Sequence, residues 1–166
     1  VDLHFRRGDT VHFDVHKQKE AVAIGRNPTG DLGFNIAAGT YADTSYQLRY
    51  SSPTYLDVSG EISTEFGDFY SGTFKSINPS VDWQANRHIS MSFGYDLTKY
   101  DLGGETVFTR EVEYDLTIAF NSKISLTSQI EYDNVRREAS FNNRLRWNIE
   151  PGQDVWVVFN QGLVDQ

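Results

Sequence analysis

Apolar and polar residues alternate along most of this chain, most plainly between His88 and Ile149. The odd positions from 89 to 97 are Ile89, Met91, Phe93, Tyr95 and Leu97; between them stand Ser90, Ser92, Gly94 and Asp96. The next segment sets Phe108, Val112, Tyr114, Leu116, Ile118 and Phe120 against Thr109, Glu111, Glu113, Asp115 and Thr117. Successive side chains of an extended chain leave opposite faces, so a period of two predicts amphipathic β-strands. Ten are expected, near 1–7, 10–18, 40–51, 55–66, 69–84, 87–98, 106–121, 123–133, 138–150 and 154–160. No helical period competes with them.

The connections add a second pattern. Arg7-Gly8-Asp9, Ser52-Pro53, Ala85-Asn86-Arg87, Asn121-Ser122 and Pro151-Gly152-Gln153 read as tight turns. Longer connections are expected between them: Glu20–Gly39, the corner around Gly67-Asp68, Lys99–Glu105 and Asn134–Arg137. Alternating tight and long connections are the habit of outer-membrane barrels, with short periplasmic turns and longer extracellular loops. The fold expected is therefore all-β, an antiparallel up-and-down transmembrane β-barrel or a large part of one, formed by residues 1–166 as a single domain. By strand parity the tenth strand ends at the long-loop rim, before Asn160-Gln161-Gly162-Leu163. A barrel with both termini in the periplasm needs one more strand, so a fragment of a longer chain is expected, short of its closing strand and of its first strands.

Which face is wet decides the reading. In a soluble barrel the apolar rows turn inward; in a membrane barrel they turn outward and aromatic residues gather as girdles near both strand ends. Trp83, Phe120, Trp147 and Trp156 lie within a few residues of a tight turn. Tyr41, Phe66, Phe69, Tyr70, Tyr95, Phe108, Tyr132 and Phe159 lie towards the other rim. Mid-strand apolar positions are mostly aliphatic, among them Leu116, Ile118, Leu126 and Ile130. A lipid-facing girdle of Trp83, Phe120, Trp147, Trp156, Tyr95 and Tyr132 is the expectation that follows.

Charge and composition narrow the partners. A formal net charge of −8 over 166 residues argues against nucleic acid, whose phosphates demand a basic surface. The absence of cysteine removes disulfides and thiolate metal sites. No run of about 18 apolar residues offers a transmembrane helix, a rule that does not bear on membrane strands.

The polar face carries the candidate chemistry. Counting back from Asn121-Ser122 places Glu113 near Glu131 and Glu111 near Asp133 across one hairpin, with Asp115 on the same face. Opposed like charges weaken a sheet unless a cation compensates them, and Arg144 and Arg146 on the following strand are expected to do so. Two roles fit this luminal cluster: filtering a polar solute, as charged rings do in pores, or filling a narrow barrel with an internal ion-pair network. Around the Arg7-Gly8-Asp9 turn His4 is expected to face His12, with His16 further along, yet spacing supplies no third ligand and no metal or cofactor is expected. Nucleophilic catalysis lacks a Gly-x-Ser-x-Gly elbow and a cysteine. The acids Glu111, Glu113 and Glu131 could reach a glycosidase spacing, but their face holds few aromatic platforms, so no enzyme is expected.

Three stretches resemble a known family: Ile36-Ala37-Ala38-Gly39-Thr40-Tyr41, Asp68-Phe69-Tyr70-Ser71-Gly72, and Phe141-Asn142-Asn143-Arg144-Leu145-Arg146-Trp147 through Pro151-Gly152-Gln153-Asp154-Val155-Trp156-Val157-Val158-Phe159-Asn160. They are similar to the C-terminal barrel of an uncharacterised bacterial outer-membrane family whose members carry a carbohydrate-binding-like domain ahead of it. The resemblance covers most of the chain and implies a barrel of unknown transport role with a link to glycans. The sequence departs from the family in lacking the N-terminal domain and the closing strand, and no catalytic residue carries over.

The expectation from residues and resemblance together is a Gram-negative outer-membrane barrel. Its partners would be the lipid bilayer and other outer-membrane or periplasmic subunits; its work, passage of a polar solute or anchoring of a surface assembly. Two alternatives stay open: a soluble barrel or sandwich with the same rows inward around a small apolar ligand, and a structural subunit of a larger membrane complex.

Overall fold

The computed structural model describes residues 1–24 and 29–164, and they form one ten-stranded antiparallel sheet. The strands are β1 (Asp2–His4), β2 (Thr10–Val22), β3 (Gly39–Ser51), β4 (Val58–Phe69), β5 (Gly72–Asn86), β6 (Ile89–Leu102), β7 (Glu105–Ala119), β8 (Ile124–Asp133), β9 (Glu138–Glu150) and β10 (Gln153–Val164). Their order in the sheet is their order in the chain, the simplest up-and-down topology. The sheet is open: β10 pairs with β9, β1 pairs with β2, and the two edges do not pair with each other. An all-β, up-and-down sheet is thus what the period of two becomes, as a large part of a barrel. Apart from the strands, one short 3-10 turn, Gly30–Leu32, is the regular structure among the described residues.

Several strand ends differ from the expected ones, for a common reason. Lys17 and Lys19 interrupt the apolar row of β2, yet pairing with β3 runs on to Val22↔Gly39. Lys99 and Asp101 do the same on β6, which continues to Leu102↔Glu105. Ladder hydrogen bonds do not require an apolar side chain, so a strand outlasts its amphipathic pattern. The loops change accordingly. Tyr70-Ser71 and Gly103-Gly104 are tight two-residue turns, where long connections were expected, and Gly103 and Gly104 take the positive φ that such a turn needs. The connection after Ser51 is the reverse, running from 52 to 57. The expected alternation in loop length reduces to one long connection, residues 23–38, between β2 and β3.

The sheet is curved with its polar face inside. A hollow of about 510 Å³ takes its walls from five successive strands, through Gln47, Glu61, Ser76, Gly94 and Glu113, which a flat sheet could not enclose. Thr29, Asp31 and Leu32 of the long connection share a second hollow, about 440 Å³, with Asn78 of β5, Asp96 of β6, Glu111 of β7 and Asp133 of β8. The loop therefore reaches from β2 and β3 across the concave side.

Apolar side chains occupy the opposite, convex face. Register lines such as Met91↔Leu116 and Ile118↔Leu126↔Leu145 carry the outward rows from strand to strand. Phe13, Leu48, Ile62, Val81, Phe93, Leu145 and Val157 all stand exposed there. On β6 the outward row is apolar from Ile89 to Leu97, nine residues or about 26 Å along the strand at ~3.3 Å per residue. Beyond it come Lys99, and on neighbouring strands Lys17, Lys75 and Arg110, so basic residues bound the apolar zone towards one rim. The fully buried apolar residues are few: Val22, Phe34 and Leu102 among those described.

Candidate functional site

The concave face offers two regions of distinct chemistry, a band of acids across the middle strands and an aromatic mouth beside the loop of residues 23–38.

In the band, register sets Glu111 opposite Asp133, Glu113 opposite Glu131, and Asp115 opposite Gln129. On the other side of β7, Asp96 faces Glu111 and Gly94 faces Glu113. The missing side chain at Gly94 leaves Glu113 room: a Cβ there would sit 3.8 Å from its Oε2. Some of these carboxylates have local donors. The Asn78 amide donates to Asp96, Ser140 Oγ donates to Glu131 at 3.4 Å, and Asp133 accepts the backbone N–H of Val135 and of Arg136 while pairing with the Arg136 guanidinium at 3.5 Å.

The expected compensation by Arg144 and Arg146 is not made directly. Arg144 faces Thr127 and Arg146 faces Ser125, whereas Glu131 faces Ser140. Arg144 thus stands four residues from Glu131's level, about 13 Å along the sheet. Arg146 turns instead to β10, making two 3.0 Å hydrogen bonds to Asp154 and lying over the Trp156 ring at 5.8 Å. The band is therefore an array of acids that Arg144 and Arg146 do not pair with directly.

The girdle residues divide. Trp83 and Trp147 belong to the convex rows, opposite Met91 and Leu126's neighbour Ile124 respectively, and both are exposed near strand ends at the turn Arg87-His88 and the turn Pro151-Gly152. Phe120 lies just past β7, exposed. Tyr132, next to last in β8, faces Val112 in the same outward set. Tyr95, also outward by register, sits mid-strand because β6 continues to Leu102. Trp156 does not share the outward row: it faces Arg146 and belongs to the polar face. The tight turn before it includes an irregularity between Gln153 and Asp154, which resets parity along β10. Near β1 the histidines also differ from expectation. His12 faces Asp2 and bonds to it at 2.5 Å, while His4 faces Thr10, because the turn register pairs residues whose numbers sum two lower than a His4–His12 pair demands. No cluster of metal-ligating side chains is present among the described residues.

No family model, curated protein or solved structure matches this chain. The residues themselves must therefore supply the functional argument.

The aromatic mouth was not visible in the strand pattern. Phe34, from the loop, is 2% exposed and meets Phe69 edge-on at 6.4 Å. Phe69 continues to Tyr100 at 4.7 Å and Tyr70 at 5.0 Å, Tyr70 to Tyr41 at 5.2 Å, and Tyr100 stacks on Phe74 at 6.2 Å. Thr29 Oγ1 donates to the Phe34 carbonyl at 2.9 Å, bracing the loop within itself, and Tyr41 OH of β3 donates to the Ala37 carbonyl at 2.8 Å, holding the loop's end to the sheet. Tyr41, Phe69 and Tyr70 thus join this cluster rather than an outer girdle, and the polar face is not poor in aromatics at this end. A signal existed for two of them. Continuing the count from Ser76 back to Phe74, and from Thr98 on to Tyr100, puts both rings on the acid-bearing face.

Proposed function

We propose that this protein is a bacterial outer-membrane β-barrel component, its convex rows against lipid and its hollow a hydrated path for small polar solutes. The observation that carries the reading is the inversion of the fold: large apolar side chains lie exposed on the convex face while acids and amides line the concave one. In water such an outer surface would be a contiguous apolar patch far beyond what soluble monomers expose. A hydrocarbon layer is the medium that suits it, and the outward row of β6, apolar over a span of nine residues, falls within the length of a tilted membrane strand. Lys17, Lys75, Lys99 and Arg110 would then lie at headgroup level on one side. Acids dominate the hollow, so cations and neutral polar solutes are favoured over anions.

The soluble alternative places the same rows around an apolar ligand. Both large hollows are instead lined by more polar than apolar side chains, acids and amides among them, which supports the membrane reading over it.

Detergent dependence tests the proposal. The purified chain is expected to stay monodisperse only in detergent, to float with phospholipid vesicles, and to migrate differently on gels before and after boiling. A chain that remains soluble and monomeric without detergent overturns membrane residence. Vesicles that carry the protein yet do not swell in isosmotic arabinose overturn passage while leaving membrane residence standing.

A further inference from the structure

At the aromatic mouth a hollow of about 240 Å³ is lined by Asp43, Glu65 and Asp68 together with Phe69, Phe74 and Tyr100. Among the described residues no lysine or arginine lines it, and His16 is the one able to carry positive charge. Asp43 is 6% exposed. Its Oδ2 accepts the Tyr70 backbone N–H at 3.3 Å, whereas its Oδ1 is withdrawn from solvent and accepts no hydrogen bond. An acceptor buried without a donor is costly, and more so on a carboxylate. Next to it Asp68 is held in place by the Thr44 backbone N–H at 3.1 Å. This closeness of β3 and β4 depends on Gly67, since a Cβ there would come within 2.3 Å of the Thr44 carbonyl. The opposite wall is a π surface: Tyr100 is set between Phe69 at 4.7 Å and Phe74 at 6.2 Å.

We propose that this mouth pocket binds a small organic cation, a primary alkylammonium. When the Asp43 carboxylate turns Oδ1 towards the hollow, the ammonium N–H groups supply the donor that oxygen lacks; the ammonium charge offsets the three carboxylates, and the alkyl carbons lie on the rings, where the π faces attract a cation. A bare metal ion makes no use of the aromatic wall, and the described residues hold no metal-ligating cluster. A neutral sugar could stack on the rings but leaves the carboxylate charge unanswered. The site stands on side chains of the concave face and does not rest on passage or membrane residence.

Calorimetric titration of the full chain with putrescine at neutral pH tests it, in neutral detergent or in plain buffer, whichever keeps the protein monodisperse. Saturable binding with one putrescine per chain is expected. Asp43→Asn should weaken it at least tenfold, and Phe74→Leu and Tyr100→Leu each severalfold, while Glu113→Gln in the acid band leaves it unchanged. If Asp43→Asn does not fold by circular dichroism, the two ring variants carry the test. Binding unaltered by the pocket variants overturns the proposal. So does glucose binding where putrescine does not, or magnesium chloride displacing putrescine at equal concentration.

Discussion

Apolar side chains meet opposite surroundings in two parts of this molecule. At the mouth they cover one another: Phe34, Val22 and Leu102 are buried, and rings run in contact from the loop into β4, β5 and β6. Along the convex rows they cover nothing, with Phe93 at 47% and Trp147 at 49% exposure. The first region is stabilised as any protein core is, by removing carbon from water. The second gains nothing from the fold itself and depends on the medium. The difference teaches that burial within the chain locates the organised part of the concave face, while exposure locates the surface that meets something else.

The largest effect that could break this contrast is at the loop. Phe34→Ala removes a fully buried ring and is expected to cost about 3–5 kcal/mol, as truncations of buried phenylalanine do. Denaturant titration in any medium that keeps the chain monodisperse should record it, since the cluster needs no lipid. Leu116→Arg on the convex face should cost roughly 2–4 kcal/mol at mid-depth of a bilayer, against little change for Thr117→Arg on the concave side. Equal costs for the two neighbours in lipid vesicles would remove the distinction between faces. Gly67→Ala forces apart the β3 and β4 backbones beneath the mouth and is expected to cost about 1–3 kcal/mol, typical of overpacking. Hydrogen exchange should show the loss confined to Thr44, Ser45 and their neighbours. Smallest of all, Arg146→Gln breaks an exposed pair with Asp154 near an edge strand and should leave the unfolding midpoint unchanged.

The strands were legible in the sequence because one face of each is apolar and the other polar, and that requirement repeats every two residues. Their ends were not, since Lys17, Lys99 and Asp101 stop the apolar pattern while the hydrogen-bond ladder goes on. The pairing of Glu113 with Glu131 could be counted from a turn, being local to one hairpin. The partner of Arg146 could not, because Asp154 lies on the far side of its strand, across a register irregularity. The mouth was harder still. Phe34 reads as one aromatic in a loop, and nothing in the spacing says that the loop folds over the concave face to meet Phe69.

The in-sequence order of the strands has a consequence for how the molecule is made. Every strand pairs with a chain neighbour, so hairpins can zip up one after another without waiting for distant partners. The loop carrying Phe34 is different, because its surroundings include residues of β4 through β8 that emerge later in the chain. Its seat does not exist until that wall has assembled. The mouth therefore closes only once β4 through β8 have paired, and its rings report assembly of that stretch of the sheet rather than of any one hairpin.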